Sequence, residues 1–199
     1  MDDPDLRETR ELAGVELHGA SWAGLDASGL RVDEARLSGC DFSGASLADP
    51  ELTDAVLDEP NLANAVIRGG SLTRVLVSGG RLTGVQCAET RIHDAVWRNA
   101  AVDLSAFRLS ELVRVTFDSC NLREADFTGA SCGWVRFHDC DLTGAVFSKA
   151  RFANSELRRC RLEAVEGVEG LAGTSMEFDA VLAIAPQLAD ALGIHLLDD

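Results

Sequence analysis

Residues 120–149 read CNLRE ADFTG ASCGW VRFHD CDLTG AVFSK when cut every five positions, and this cut decides the fold. The third residues of these blocks are Leu122, Phe127, Cys132, Phe137, Leu142 and Phe147, and the first residues are Cys, Ala or Val. Carried outward, the same frame finds an apolar residue at every fifth position from Leu12 to Leu162. These 31 centres hold fourteen Leu, seven Phe, three Val, two each of Ile, Trp and Cys, and Ala27. A helix repeats about every 3.6 residues and a strand every second residue, so neither presents such centres to one core. A mostly small residue precedes the centre by two, as at Ala45, Ala55, Ala65, Ala95, Ala125 and Ala145, and eleven units have Gly two residues after it.

The units ADFTG (125–129), ASLAD (45–49), CDLTG (140–144) and CNLRE (120–124) resemble those of the pentapeptide repeat family, A-(D/N)-L-x-x, over about three quarters of the chain. The resemblance implies an all-β solenoid, a right-handed quadrilateral β-helix with four units to a coil and with centre and small residue pointing inward. Coils stacked about 4.7–4.9 Å apart would turn these units into nearly eight coils and a rod of roughly 37 Å. The expected organisation is an N-terminal cap over 1–11, the repeat over 12–165, and a C-terminal helical cap and dimerisation segment over 166–199.

Residues twenty apart then stack. Cys120, Cys140 and Cys160 share one interior row, with Cys40 further up it. Parallel thiols cannot surround a tetrahedral ion, and their Cβ vectors do not converge for disulfides, so they read as small apolar fillers. Phe107, Phe127 and Phe147 form one aromatic row, and Trp97, Phe117 and Phe137 the opposite one, filling the core of the C-terminal half. Leu25 with Ala27 reverses the usual small-then-large order, with volume conserved. Pro50 and Pro60, followed one coil later by Gly69-Gly70 and Gly79-Gly80, are expected to ease corners and to permit a local bend.

Periodicity stops after Leu162, and a solenoid end needs a cover. Thr174-Ser175-Met176-Glu177 reads as a capping box opening a helix, Pro186 as a kink or second helix start, Gly193 as a stop, and Ile194-His195-Leu196-Leu197 as a terminal strand. This ending is similar to that of the MfpA group within the family. The similarity implies a homodimer joined tail to tail through Phe178, Val181, Leu182, Leu188, Leu192 and Ile194. A monomer whose last coil is merely covered by these residues is the alternative.

The formal charge is -15, from 33 acids against 18 bases. Residues 1–67 hold 15 acids and 4 bases, residues 68–165 hold 11 and 14, and residues 166–199 hold 7 and none. That balance excludes nonspecific binding of phosphate backbones and predicts a basic partner surface. Acid concentrates at Asp33, Glu34, Asp41, Asp49, Glu51, Asp54, Asp58 and Glu59. The MfpA and Qnr groups engage DNA gyrase and other type II topoisomerases as acidic mimics of duplex DNA. The resemblance therefore implies such a partner, with regulation of the enzyme or fluoroquinolone resistance as the outcome. A second candidate surface is the apolar ladder Val56, Leu76 and Val96, joined by outward Leu104, Leu109 and Trp134; a scaffold for an unknown protein is the alternative it supports.

Enzymatic chemistry is not expected. His93-Asp94 and His138-Asp139 face solvent on a convex wall, His18 and His195 have no partner by sequence, and no phosphate loop, HExxH or GxSxG occurs. Neither cofactor nor metal is expected. An acidic start, MDDPDLRETRE, and the lack of a long apolar run predict a cytoplasmic, soluble chain without a membrane span.

Overall fold

A computed structural model describes residues 9–197. In all 31 units from Leu12 to Leu162 the residue two past the centre is left-handed, with φ between 48 and 73°. This turn makes a corner after each unit, and four corners close a coil. Glu11 therefore pairs with Arg31, Arg31 with Glu51, and Glu51 with Ser71, all in parallel. The corner amide of Gly14 donates to the Asp33 carbonyl (2.9 Å) of the next coil, and Arg31 donates back to the Arg10 carbonyl (2.7 Å). Repetition of this pair of bonds satisfies the backbone of a rod only one sheet thick.

The first face is centred on Leu12, Val32, Leu52, Leu72, Ile92, Leu112, Cys132 and Phe152 and forms an eight-stranded parallel sheet. The second, from Leu17 to Leu157, is nine-stranded, and Thr174–Met176 is its last strand. The third face, from Trp22 to Leu162, is held by single bridges such as Asp41 to Asn61. The fourth, from Ala27 to Phe147, has three strands at Ser46–Ala48, Val66–Arg68 and Gln86–Ala88 and single bridges elsewhere.

The two kinds of unit differ at the following corner. After a bridge-type unit the small residue's amide is used inside the turn, as Leu25 donates to the Trp22 carbonyl (2.9 Å). After a strand-type unit that donor has no backbone partner. Pro50 and Pro60 follow strand-type units, so neither removes a ladder bond. Register runs through them unbroken, with Leu52 opposite Leu72 and Leu57 opposite Val77.

Inside, the centres and small residues are buried almost without exception. Phe127 stacks between Phe107 (5.0 Å, 9°) and Phe147 (5.5 Å, 7°) and meets Phe117 and Phe137 edge-on. Trp22 stacks on Phe42 at 4.6 Å beside the fully buried Ala27. Between Leu30 and Trp97 the bore is filled mainly by Leu, Ile and Val, and an apolar void of about 40 Å³ remains there. All six cysteines are free thiols, and burial pushes Cys87 and Cys132 up to about 12, as fits inert fillers.

At the C-terminus, helices α1 (Phe178–Ala183) and α2 (Ala185–Ala191) cover the last coil, with Pro186 at the start of α2 as expected. Two expectations are corrected. Thr174–Met176 pairs with Ser155–Leu157 instead of forming a capping box, and Glu177 caps α1 without a side-chain bond. An added strand satisfies several groups of the exposed ladder edge where a cap would satisfy one or two. Ile194–Leu197 forms no strand. Gly193, at φ 71°, ends α2 with bonds from its amide to Asp190 and from Ile194 to Ala189, and leaves Leu196 and Leu197 63% and 92% exposed, with no ladder beside them. Of the expected N-terminal cap, residues 1–8 lie outside the described residues, and Glu11 already opens the first strand.

Candidate interaction surface

Outward side chains come from the residues flanking each centre and from the corners. Val56, Leu76 and Val96 lie in direct register on the second face, each half-buried. Asp54 stands at the corner before Val56, Asp58 follows on the same strand, and Glu59 occupies the next corner. The acidic cluster and the apolar ladder, separate candidates in the sequence, thus meet on one face. Asp33 and Glu34 sit one coil earlier, beside the corner that Asp54 continues. Asp49 and Glu51 border the far edge of the first face. Asp41 is apart from the rest on the third face, where its carboxylate accepts from the Ser43 amide (2.9 Å) and Asn61 Nδ2 (2.9 Å). Those bonds, led by the Ser43 amide, hold its carboxyl below the usual range.

Charge pairing separates the early coils from the later ones. Asp94 takes a two-pronged contact from Arg114 (2.8 Å at Nη2), and Asp139 one from Arg159 (2.6 and 2.7 Å). Asp126, Asp141 and Glu156 also have arginine partners. Among the eight early acids only Glu51, with Arg31 (3.2 Å), and Asp54, with Arg74 (2.6 Å), are so engaged. Asp33, Glu34, Asp49, Asp58 and Glu59 have no ion-pair partner among the described residues; Glu59 accepts only the Gly80 amide (3.0 Å). The arginine bonds hold Asp54, Asp94 and Asp139 below the usual carboxylate range. An Asp and an Arg twenty residues apart at corner positions was the sequence signal for these pairs, and it separates neutralised acids from free ones.

Three corners carry large apolar side chains: Leu104, Leu109 and Trp134 are 52%, 66% and 53% exposed at φ 57, 58 and 54°. Bulky residues rarely adopt this conformation, and such strain clusters at functional positions. Val66, exposed on the fourth face, was not singled out in the sequence.

His93 and His138, expected to face solvent, are instead half-buried between neighbouring side chains. His138 Nε2 lies 2.9 Å from Glu156 Oε1, in a network with Arg136 and Arg158, and His93 is 3.7 Å from Glu111. No group of three or more His, Cys, Asp or Glu among the described residues could hold a metal ion. No helix among them is long and apolar enough to cross a membrane.

The family's repeat profiles match this same register. Pentapeptide repeats (8 copies) covers 11–47 and 35–74, and Pentapeptide repeat region covers 90–166. The chain belongs to the pentapeptide repeat family. Proteins of this family are interaction or structural modules in general. Solved structures similar to this pentapeptide repeat rod include HetL, involved in heterocyst differentiation regulation in the cyanobacterium Nostoc (18% identity, 79% of this chain and 84% of that one, TM-score 0.47). Another is trypsin-treated QnrB1, a plasmid-mediated fluoroquinolone resistance protein (20%, 94% and 97%, 0.41). A third is from the thylakoid lumen of Arabidopsis thaliana (23%, 57% and 66%, 0.25). At these identities and scores the likenesses decide nothing about partner. No curated protein matches.

The C-terminal residues divide into two groups. Phe178, Val181 and Leu182 on α1 and Leu192 and Ile194 beyond α2 are exposed, whereas Leu188 on α2 is half-buried against the core. Ile184, between the helices and 1% exposed, anchors the cap and was not singled out in the sequence.

Proposed function

We propose that this rod is a non-enzymatic interaction protein that docks a type II topoisomerase, DNA gyrase first, by offering carboxylates where duplex DNA offers phosphates. Regulation of the enzyme or resistance to a compound that poisons it would follow. The observation that carries this reading is the set of acids on the first coils without an ion-pair partner among the described residues, exposed Asp33, Glu34, Asp49 and Glu59 with half-buried Asp58, in a rod whose later-coil acids mostly carry an arginine partner. A basic saddle gains most from carboxylates that have no partner to give up.

A homodimer through Phe178, Val181, Leu182, Leu192 and Ile194 belongs to this proposal. Tail-to-tail pairing would cover the exposed apolar cap and place the acidic coils at both tips of a doubled rod. The cytoplasm is the compartment in which it would meet the enzyme.

Supercoiling by purified gyrase tests the reading. Wild-type protein should inhibit the reaction or protect it from a fluoroquinolone, and a variant with the five free acids changed to Asn or Gln should lose the effect. Identical enzyme behaviour with and without the protein removes the proposal. A second reading, a scaffold for another protein, is favoured by the Val56, Leu76, Val96 ladder; it predicts that V56T/L76T/V96T abolishes partner capture while the acid variant retains it.

A further inference from the structure

One interior column has a geometry that partner docking leaves unused. Cys120, Cys140 and Cys160 occupy the same position in three successive coils. Each Sγ donates to equivalent carbonyls moved along by one coil. Cys120 meets Trp97 and Asp118 (3.3 and 3.5 Å), Cys140 meets Phe117 and His138 (3.4 and 3.3 Å), and Cys160 meets Phe137 and Arg158 (3.3 and 3.4 Å). Equivalent partners at equivalent distances mean equivalent rotamers, so the sulfurs are separated by the coil rise, about 4.7–4.9 Å.

That spacing discriminates between the chemistries of two thiols. A disulfide needs sulfurs about 2.05 Å apart and Cβ atoms about 3.8 Å apart, which parallel Cβ vectors one coil apart do not supply. A tetrahedral ion needs ligands on four sides, and a straight column offers two. Two thiolates in line with one ion between them, at about 2.3 Å per bond, span about 4.6 Å, close to the coil rise. Cys120 and Cys140 are buried, whereas Cys160, at the last coil, is half-buried and gives an approach from solvent.

We propose that Cys140 and Cys160 form a two-coordinate site for a soft d10 cation, Hg(II) above all, held in line between the stacked sulfurs. Binding releases two thiol protons, and two thiolates with one divalent ion leave the site neutral. Neutrality matters because a negative charge left on these sulfurs would sit largely out of water beside carbonyl oxygens. Monovalent Ag(I) or Cu(I) would leave one buried negative charge and bind more weakly, and Zn(II) would lack ligands. Cys140 belongs to both neighbouring pairs, so the column takes one ion.

Titration of the folded full-length protein with Hg(II) against glutathione, read by thiolate-to-metal absorbance and by mercury retained after desalting, tests this. Wild type, C40S and C120S should retain one ion per chain, and excess Zn(II) should not displace it. C140S leaves Cys120 and Cys160 two coil rises apart and should bind more weakly by roughly 100-fold or more, since losing even an outer-shell partner can cost that much. Circular dichroism checks that the coil is intact, and C140A replaces C140S should the latter unfold, since Ala100 already occupies this column. Wild-type affinity in C140S and C140A, displacement by zinc, or no retained mercury in wild type would overturn the site.

Discussion

Pro50 lies directly beneath Gly70 in one interior column, and Pro60 beneath Gly80 in the opposite one. A Cβ on Gly70 would come within 2.5 Å of Pro50 Cδ, and one on Gly80 within 2.6 Å of Pro60 Cδ. Both glycines also have positive φ, 68 and 85°. The nearest atom to either Cβ is the proline's backbone carbonyl oxygen, so the left-handed turn over the chain below, together with the ring, calls for a residue without a side chain at both positions.

Gly70→Ala should cost more than about 2 kcal/mol, combining left-handed strain with a clash against rigid backbone. Gly44→Asn should stay within about 0.5 kcal/mol, because its corner is open and Asn tolerates this conformation. Urea melts of the two variants check the contrast; equal losses would contradict it.

Phe127→Ala should destabilise by about 3–5 kcal/mol, since the ring is fully buried between two stacked neighbours and its removal leaves a cavity that they cannot close. Thermal unfolding gives the value. A loss below about 1 kcal/mol would mean the aromatic columns are loosely packed.

Trp134→Asn should raise stability by about 1 kcal/mol, because it relieves strain at an exposed corner where the indole buries little. If Trp134 contacts a partner, the same variant weakens binding while it melts higher. A lower melting temperature would show that the indole supports the rod itself.

Asp54, Asp94 and Asp139 have pKa values depressed in the folded rod by their arginines. A depressed carboxyl contributes stability above its unfolded pKa, about 3.9, and loses it as pH falls through the folded value. Stability should accordingly be flat from about pH 8 to 5 and decline below about pH 4. The pairs are exposed, so the decline is modest and salt-sensitive. Melts across this range would refute the assignment if the main loss centred near pH 6.5.

F178D/L192D should hold the protein at its chain mass of 21.2 kDa in light scattering, against twice that for wild type. Wild type at the single-chain mass would dispose of the tail-to-tail dimer.

The five-residue spacing made the solenoid, its four faces and its interior rows legible, because a narrow bore tolerates almost nothing but an apolar centre and a small companion. The cap was less legible. Thr174–Glu177 satisfies a local capping pattern, but the unpaired edge of Ser155–Leu157 competes for the same backbone and wins. The candidate surface was half legible: acids can be counted in the chain, whereas their neutralisation by Arg74 or Arg159 depends on a neighbour twenty residues away. The meeting of Asp54 and Asp58 with Val56 on the second face likewise needed the assignment of corners.

The central claim is tested most directly by competition between this protein and a duplex DNA fragment for purified gyrase. DNA mimicry predicts mutually exclusive binding, with the rod displacing DNA and the variant lacking Asp33, Glu34, Asp49, Asp58 and Glu59 failing to do so. Formation of a ternary complex, or no binding to the enzyme at low salt, would contradict it.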